Sequence, residues 1–194
     1  MSTAVVACGA LALHVRQIAA RRGWELDVHP LPPELHNRPE RIAPAVRQLV
    51  GELEGRYGRV VLAYADCGSY GALDELGLPR LAGGTCYDVL ALDEVREALA
   101  EEPGTYFLTD FLVRAFDRVV VRPLGLDRYP ELRDDYFRSY TRVVWLAQRP
   151  TPELHAAAER AAVTLRLPLE VREVGDRGLE TQLAALLESV PAAA

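Results

Sequence analysis

Hydrophobic and polar positions along this chain switch between two periods, and the switching predicts a series of strand–helix units. Residues 5–7 form a short apolar run that reads as a strand. Residues 11–22 then carry apolar side chains at helical spacing and end in Arg21-Arg22-Gly23, a combination that stops helices. A second strand is expected at 26–31, broken by Pro30 and followed by Pro32 and Pro33. Pro39, with Glu40 beside it, suits the first turn of a helix reaching about Tyr57, which leaves His36 and Asn37 in a strand-to-helix loop. The clearest buried strand is 60–65, a continuous apolar run bounded by Gly58 and Gly68. A fourth strand is expected at 78–81, leading through Gly83-Gly84-Thr85 to Cys86 and a helical stretch ending near Leu99.

The second half repeats the scheme. Residues 103–110 are rich in aromatics and end like the earlier strand-to-loop junctions; 111–140 mix aromatics with charges and are expected to form helices packed over the sheet. A strand at 142–147, a helix at 151–165 opened by Thr151-Pro152-Glu153, a strand at 169–174 and a final helix at 179–187 capped by Asp176 complete the pattern. The Ala192–Ala194 end is expected to fray. Strands alternating with helices of this length predict an α/β fold, a doubly wound, mostly parallel sheet flanked by helices, in a single domain over 1–194. A chain of 194 residues, 49% hydrophobic and with mean hydropathy −0.01, can bury such a core.

Charge narrows the partners. The net charge of −6 and isoelectric point near 5.3 speak against nucleic acid, whose binding draws on Lys and Arg. All 22 basic residues are Arg, so no lysine is present for a Schiff base or a phosphate loop. With no apolar run of about 18 residues and no signal-peptide pattern, the expectation is a cytoplasmic protein with no membrane partner. Three cysteines in such a chain argue for reduced thiols rather than a disulfide framework.

Cys8, Cys67 and Cys86 each follow a strand-like run, so a parallel sheet should gather them at its carboxyl edge, where α/β proteins bind ligands. With His36 they make a candidate Cys₃His metal set. Such a set suits tetrahedral zinc, while three cysteines alone suit an iron–sulfur cluster with one open iron. The plainer alternative is that some of these thiols are core packing. Asp66, beside Cys67, is a candidate ligand-orienting group or general base, or a loop cap. Asn37 and Arg38 are the other candidate catalytic side chains. Gly9, Gly68 and Gly84 are candidate cofactor contacts, because glycine lets backbone approach a ligand closely. His14 and His155 read as core or solvated residues on helices, and His29 as a weaker candidate than His36. The chain holds no G-x-G-x-x-G fingerprint, and Ser69 sits in only a loose echo of a nucleophile elbow.

The motifs Ala7-Cys8-Gly9-Ala10, Leu35-His36-Asn37-Arg38-Pro39-Glu40, Tyr64-Ala65-Asp66-Cys67-Gly68, Thr85-Cys86 and Pro103-Gly104-Thr105-Tyr106-Phe107-Leu108-Thr109 resemble, in that order, the prokaryotic domain-of-unknown-function family DUF1638. The resemblance spans nearly the whole chain and implies a Cys/His site. Some members are associated with corrinoid-dependent methyl transfer, and many carry Gly where this chain has Ala65. The expected function is a metal-binding protein, zinc or iron–sulfur, acting on a small-molecule substrate in one-carbon or thiol metabolism, as a metal-dependent lyase or transferase. Two alternatives stand beside it: delivery of metal or cofactor to a partner enzyme without turnover, and metal-free chemistry by a nucleophilic cysteine. The oligomeric state is open.

Overall fold

The computed structural model describes residues 2–189, and the Ala192–Ala194 end lies outside them. The described residues cluster into two compact units, 2–89 with 176–189, and 90–175. Each is built on its own three-stranded parallel sheet.

In the first unit, β1 (Thr3–Cys8) lies between β2 (Leu26–Leu31) and β3 (Arg59–Ala63). All six residues of β1 are buried, as a central parallel strand covered on both faces demands. Pro30 does not interrupt β2. It is tolerated because β2 is an edge strand, where a missing N–H need break no ladder. α1 (Ala12–Arg22) ends at Gly23 in the left-handed conformation (φ 65°), whose N–H returns to Ala19 and Ala20 carbonyls. Helix formation after Pro39 begins as a 3₁₀ turn (Pro39–Arg41), continues as α2 (Ile42–Leu53) and stops short of Tyr57.

The expected strand at 78–81 reduces to one bridge between Leu62 and Arg80. Pro79 lacks a donor, so Leu62 N–H to Pro79 O and Leu81 N–H to Leu62 O are what ties this segment to β3. Among the described residues no strand pairs beyond β3, and the first sheet ends there. The six strands therefore form two parallel sheets rather than one continuous one, within the α/β class that the pattern predicts.

α3 (Cys86–Glu101) leaves helical geometry at Ala91 (φ −159°, ψ 60°). In the second unit, β5 (Arg142–Ala147) lies between β4 (Thr105–Thr109) and β6 (Leu169–Glu173). The predicted helical stretch 111–140 resolves into α4 (Asp110–Phe116), a π turn (Asp117–Val121) and α5 (Leu132–Phe137). α6 (Pro152–Leu165) starts as expected, with the Thr151 hydroxyl accepting from Leu154 N–H and Pro152 in the first turn. The core here gathers Leu108, Trp145, Leu154, Ala158 and Leu165.

α7 (Arg177–Glu188) belongs to the first unit. Asp176 precedes it but makes no side-chain cap; its carboxylate accepts instead from Nδ1 of buried His14 on α1, at 2.8 Å. Arg21 and Arg22 both pair with Glu180, so α1 and α7 are joined by charge as well as packing. Among the described residues no helix is long and apolar enough to cross a membrane.

Candidate functional site

Cys8 is the last residue of the central strand, wholly buried, with Sγ 3.6 Å from His36 Nε2. His36 is brought there by the 3₁₀ turn Pro33–Asn37 that follows β2. That approach depends on Gly9. A Cβ at position 9 would stand 2.5 Å from the Leu31 carbonyl oxygen and 2.8 Å from Pro33 Cδ. His36 Nδ1 lies 2.9 Å from the Pro33 carbonyl oxygen, which can only accept, so Nδ1 donates there and Nε2 is the nitrogen that faces the sulfur. Ala10 N–H also points at Cys8 Sγ, at 3.4 Å.

Cys67 lies on the loop after β3 in a left-handed conformation (φ 52°), followed by Gly68 at φ 78°. Non-glycine residues adopt that conformation at a cost. Asp66 holds the loop in place: its carboxylate accepts from Ser69 Oγ (3.0 Å), Tyr70 N–H (3.1 Å) and Gly71 N–H (2.8 Å). The Gly71 and Ser69 bonds, with Tyr70 N–H, hold this carboxyl below its usual range. Asp66 thus caps the loop, one of the roles open to it from sequence.

The Cys67 loop is tied to the segment before Cys86, with Asp66 N–H on Gly83 O (3.0 Å) and Cys67 N–H on Gly84 O (2.8 Å). That segment is fixed by a reciprocal cap. Asp88 Oδ2 accepts from Gly84 N–H (2.9 Å) and Thr85 N–H (2.8 Å), while Thr85 Oγ1 accepts from Asp88 N–H (3.3 Å). Cys86 therefore begins α3 beside Cys67.

The three thiols feel one another. Burial pushes Cys8 up to about 12, with Cys67 adding repulsion, and pushes Cys67 up to about 11. Cys86 is also raised by burial, with Cys8 and Cys67 contributing. Cys86 opens α3, where the helix N-terminus favours thiolate, but burial outweighs that dipole here. Among the described residues, no three His, Cys, Asp or Glu side chains stand close enough together to hold a metal ion as they are.

Of the other sequence candidates, Gly68 packs on the chain itself, since a Cβ there would meet Pro39 Cβ at 3.3 Å. Gly84 sits against Asp88. Asn37 and Arg38 are exposed on the turn past His36. His29 Nε2 is engaged by the Tyr57 hydroxyl at 3.1 Å, and Tyr57 donates to Asp27. His155 stacks edge-on against Trp145.

Two residues escaped the sequence reading. Tyr64 is wholly buried one residue beyond β3, and its hydroxyl has no hydrogen-bond partner among the described residues. A polar tip inside an otherwise apolar run was the available signal. In the second unit, Asp110 is fully buried and accepts from Trp145 Nε1 (3.0 Å), Gln148 N–H (3.1 Å) and Arg149 N–H (2.9 Å). An indole N–H inside a buried strand needs an acceptor, which was the clue to it.

A family model described as protein of unknown function (DUF1638) matches residues 30–183, a span that includes His36, Cys67 and Cys86 and begins after Cys8. No curated protein matches the chain.

Proposed function

The chain belongs to the DUF1638 family, and from that premise we propose that it carries a transition metal on Cys8, His36, Cys67 and Cys86 at the carboxyl edge of the first sheet. The observation that carries the proposal is the Cys8–His36 pair: a buried thiol facing the imidazole Nε2 at 3.6 Å, the ring oriented from behind by the Pro33 carbonyl. Metal-ligating histidines are held in this way, the distal N–H donating to a backbone carbonyl or carboxylate so that the other nitrogen is free to ligate. The loop bonds that bring Cys67 next to the start of α3 add the remaining two sulfurs.

Ligation requires the Cys67 and Cys86 side chains to turn toward the Cys8–His36 pair. The metal would then relieve the mutual repulsion of three thiolates in a buried site. Three thiolates and an imidazole suit zinc, and an iron–sulfur cluster is the rival occupant. At a strand edge the metal serves to activate a small substrate, for instance by ionising its thiol for transfer of a one-carbon group, a lyase or transferase chemistry. Metal-free nucleophilic catalysis draws no support from thiols that burial keeps protonated.

The test is elemental analysis and an absorption spectrum of protein purified without oxygen. Zinc or iron near one equivalent is expected for a single-metal site and several irons for a cluster. Cys67→Ser should abolish binding and His36→Ala should lower it, both with circular dichroism unchanged. Metal no higher than trace in the wild type would overturn the proposal. A substrate screen on the metal-loaded protein then separates turnover from delivery to a partner enzyme.

A further inference from the structure

The segment that leads to Cys86 has little of its own to hold it in one shape. Residues 82–85 belong to neither helix nor strand, all four are exposed, and Gly83 stands at φ 114°, where side chains are rarely found. Besides the Asp88 cap, the side chain that reaches this segment is Gln182 of α7, whose Oε1 accepts from Ala82 N–H at 2.8 Å. The next two carbonyls, of Gly83 and Gly84, are the ones that accept from Asp66 and Cys67 N–H. From α7 the path therefore runs through Gln182, Ala82 and two peptide units to the Cys67 loop. α7 itself lies against α1 and β3 and buries Leu179, Leu183 and Leu186. Polar ties fasten both its ends: Asp176 to His14 and Glu180 to Arg21 and Arg22 at the start, Arg59 Nη1 to the Leu187 carbonyl (2.6 Å) at the finish. The chain enters α7 straight from the second unit, through Gly175 at φ 64°.

We infer that α7 is a strap for the thiol loops, with Gln182 as its clasp. While the helix is docked, the Cys67 and Cys86 segments are held to each other; when it lifts, both thiols open to solvent and to whatever binds there. The inference concerns how the loops are held and does not rest on the metal reading. Gln182 is a positioning residue, acting on the thiols through backbone. Glycine loses more conformational freedom on ordering than any other residue, so a Gly-Gly segment keeps one shape only while its bonds hold it. Ala82 is exposed, and water replaces Gln182 at its N–H once the helix leaves. Release therefore opens the loop without stranding a buried polar group. Because α7 follows directly on the second unit, that unit has a covalent handle on the strap.

The experiment labels reduced, chelator-treated protein with iodoacetamide under native conditions, comparing wild type with Gln182→Ala, Gln182→Glu and, as a neighbouring control, Thr181→Ala. Cleavage after arginine leaves Cys8, Cys67 and Cys86 in separate peptides, 1–16, 60–80 and 81–96, so mass spectrometry reads each rate by itself. Gln182→Ala should label Cys67 and Cys86 about 2- to 10-fold faster, the opening that loss of one hydrogen bond allows, with Cys8 unchanged. Gln182→Glu keeps an acceptor for Ala82 N–H and should match the wild type, as should Thr181→Ala. No rise at Cys67 and Cys86 overturns the inference. So does a rise shared equally by Cys8, which is general loosening. Hydrogen exchange on the wild type reads the same device without a substitution: the Ala82, Asp66 and Cys67 amides should exchange in one opening, with a common protection factor. Asp66 and Cys67 amides that stay protected after Ala82 has exchanged belong to loops that hold without α7, and that result overturns the strap. Both measurements are made without metal, so they stand or fall apart from the metal proposal.

Discussion

Gly9→Ala is the substitution whose outcome follows most directly from the geometry of the site. The glycine's φ lies outside the left-handed region, so alanine suffers no backbone strain, and the effect is purely one of space. The new Cβ meets Leu31 O at 2.5 Å, Pro33 Cδ at 2.8 Å and Pro33 N at 3.1 Å. Backbone and a proline ring cannot swing aside, so the loop after β1 and the segment carrying His36 must part by roughly 1 Å. Overpacking of this kind costs about 1–3 kcal/mol. The smaller conformational freedom of alanine in the unfolded chain returns about 0.4–1 kcal/mol. The expected net loss is about 1–2 kcal/mol, or roughly 2–8 °C in melting temperature for a chain of this size. Urea unfolding followed by circular dichroism measures it, with Gly51→Ala as the internal control. Gly51 lies in α2 with nothing within 4 Å of its missing Cβ, so alanine there should stabilise by about 0.5–1 kcal/mol. Parting of the two segments should also speed labelling of Cys8 by a thiol reagent. A Gly9→Ala protein as stable as Gly51→Ala, with Cys8 no more reactive, would refute the close approach on which the Cys8–His36 pair depends.

Asp110→Ala should destabilise the fold by about 3–5 kcal/mol, since it strips the acceptor from Trp145 Nε1 and two backbone N–H groups in a fully buried place; urea midpoints measure it. Asp66→Asn tests the loop cap through pH. Because Asp66 ionises below its unfolded range, its contribution is present above the unfolded pKa of about 3.9 and is lost as pH falls through the lower folded value. The stability gap between wild type and Asp66→Asn should therefore be wide at neutral pH and close in acid, and a pH-independent gap contradicts the assignment. Arg166→Gly relieves a left-handed arginine (φ 53°) at the end of α6 and should gain about 1 kcal/mol in the same unfolding assay.

The elements most legible in the sequence were those whose signal is local. The buried β3 run, the Arg21-Arg22-Gly23 stop of α1, β5 at 142–147 and the Thr151-Pro152 start of α6 each declare themselves within a few residues. What was not legible depended on distant partners. Residues 78–81 look like a strand, but Pro79 allows only a bridge to β3, and the consequence is a sheet that stops at three strands. Asp176 stands at a helix start and reads as a cap, yet it is claimed by His14, 162 residues away. For the site, the positions of Cys8 and Cys86 at element ends followed from the pattern. The pressure of burial on their thiols did not, nor did the orphaned Tyr64 hydroxyl, because both arise from packing that no short window encodes.

The central claim is that thiolates and one imidazole of this chain surround a metal, and X-ray absorption at the metal's edge on anaerobically purified protein counts those ligands directly. The account predicts a first shell dominated by sulfur at about 2.3 Å with an imidazole nitrogen near 2.0 Å that disappears in His36→Ala. A shell of oxygen and nitrogen alone, or a protein without bound metal, would contradict it.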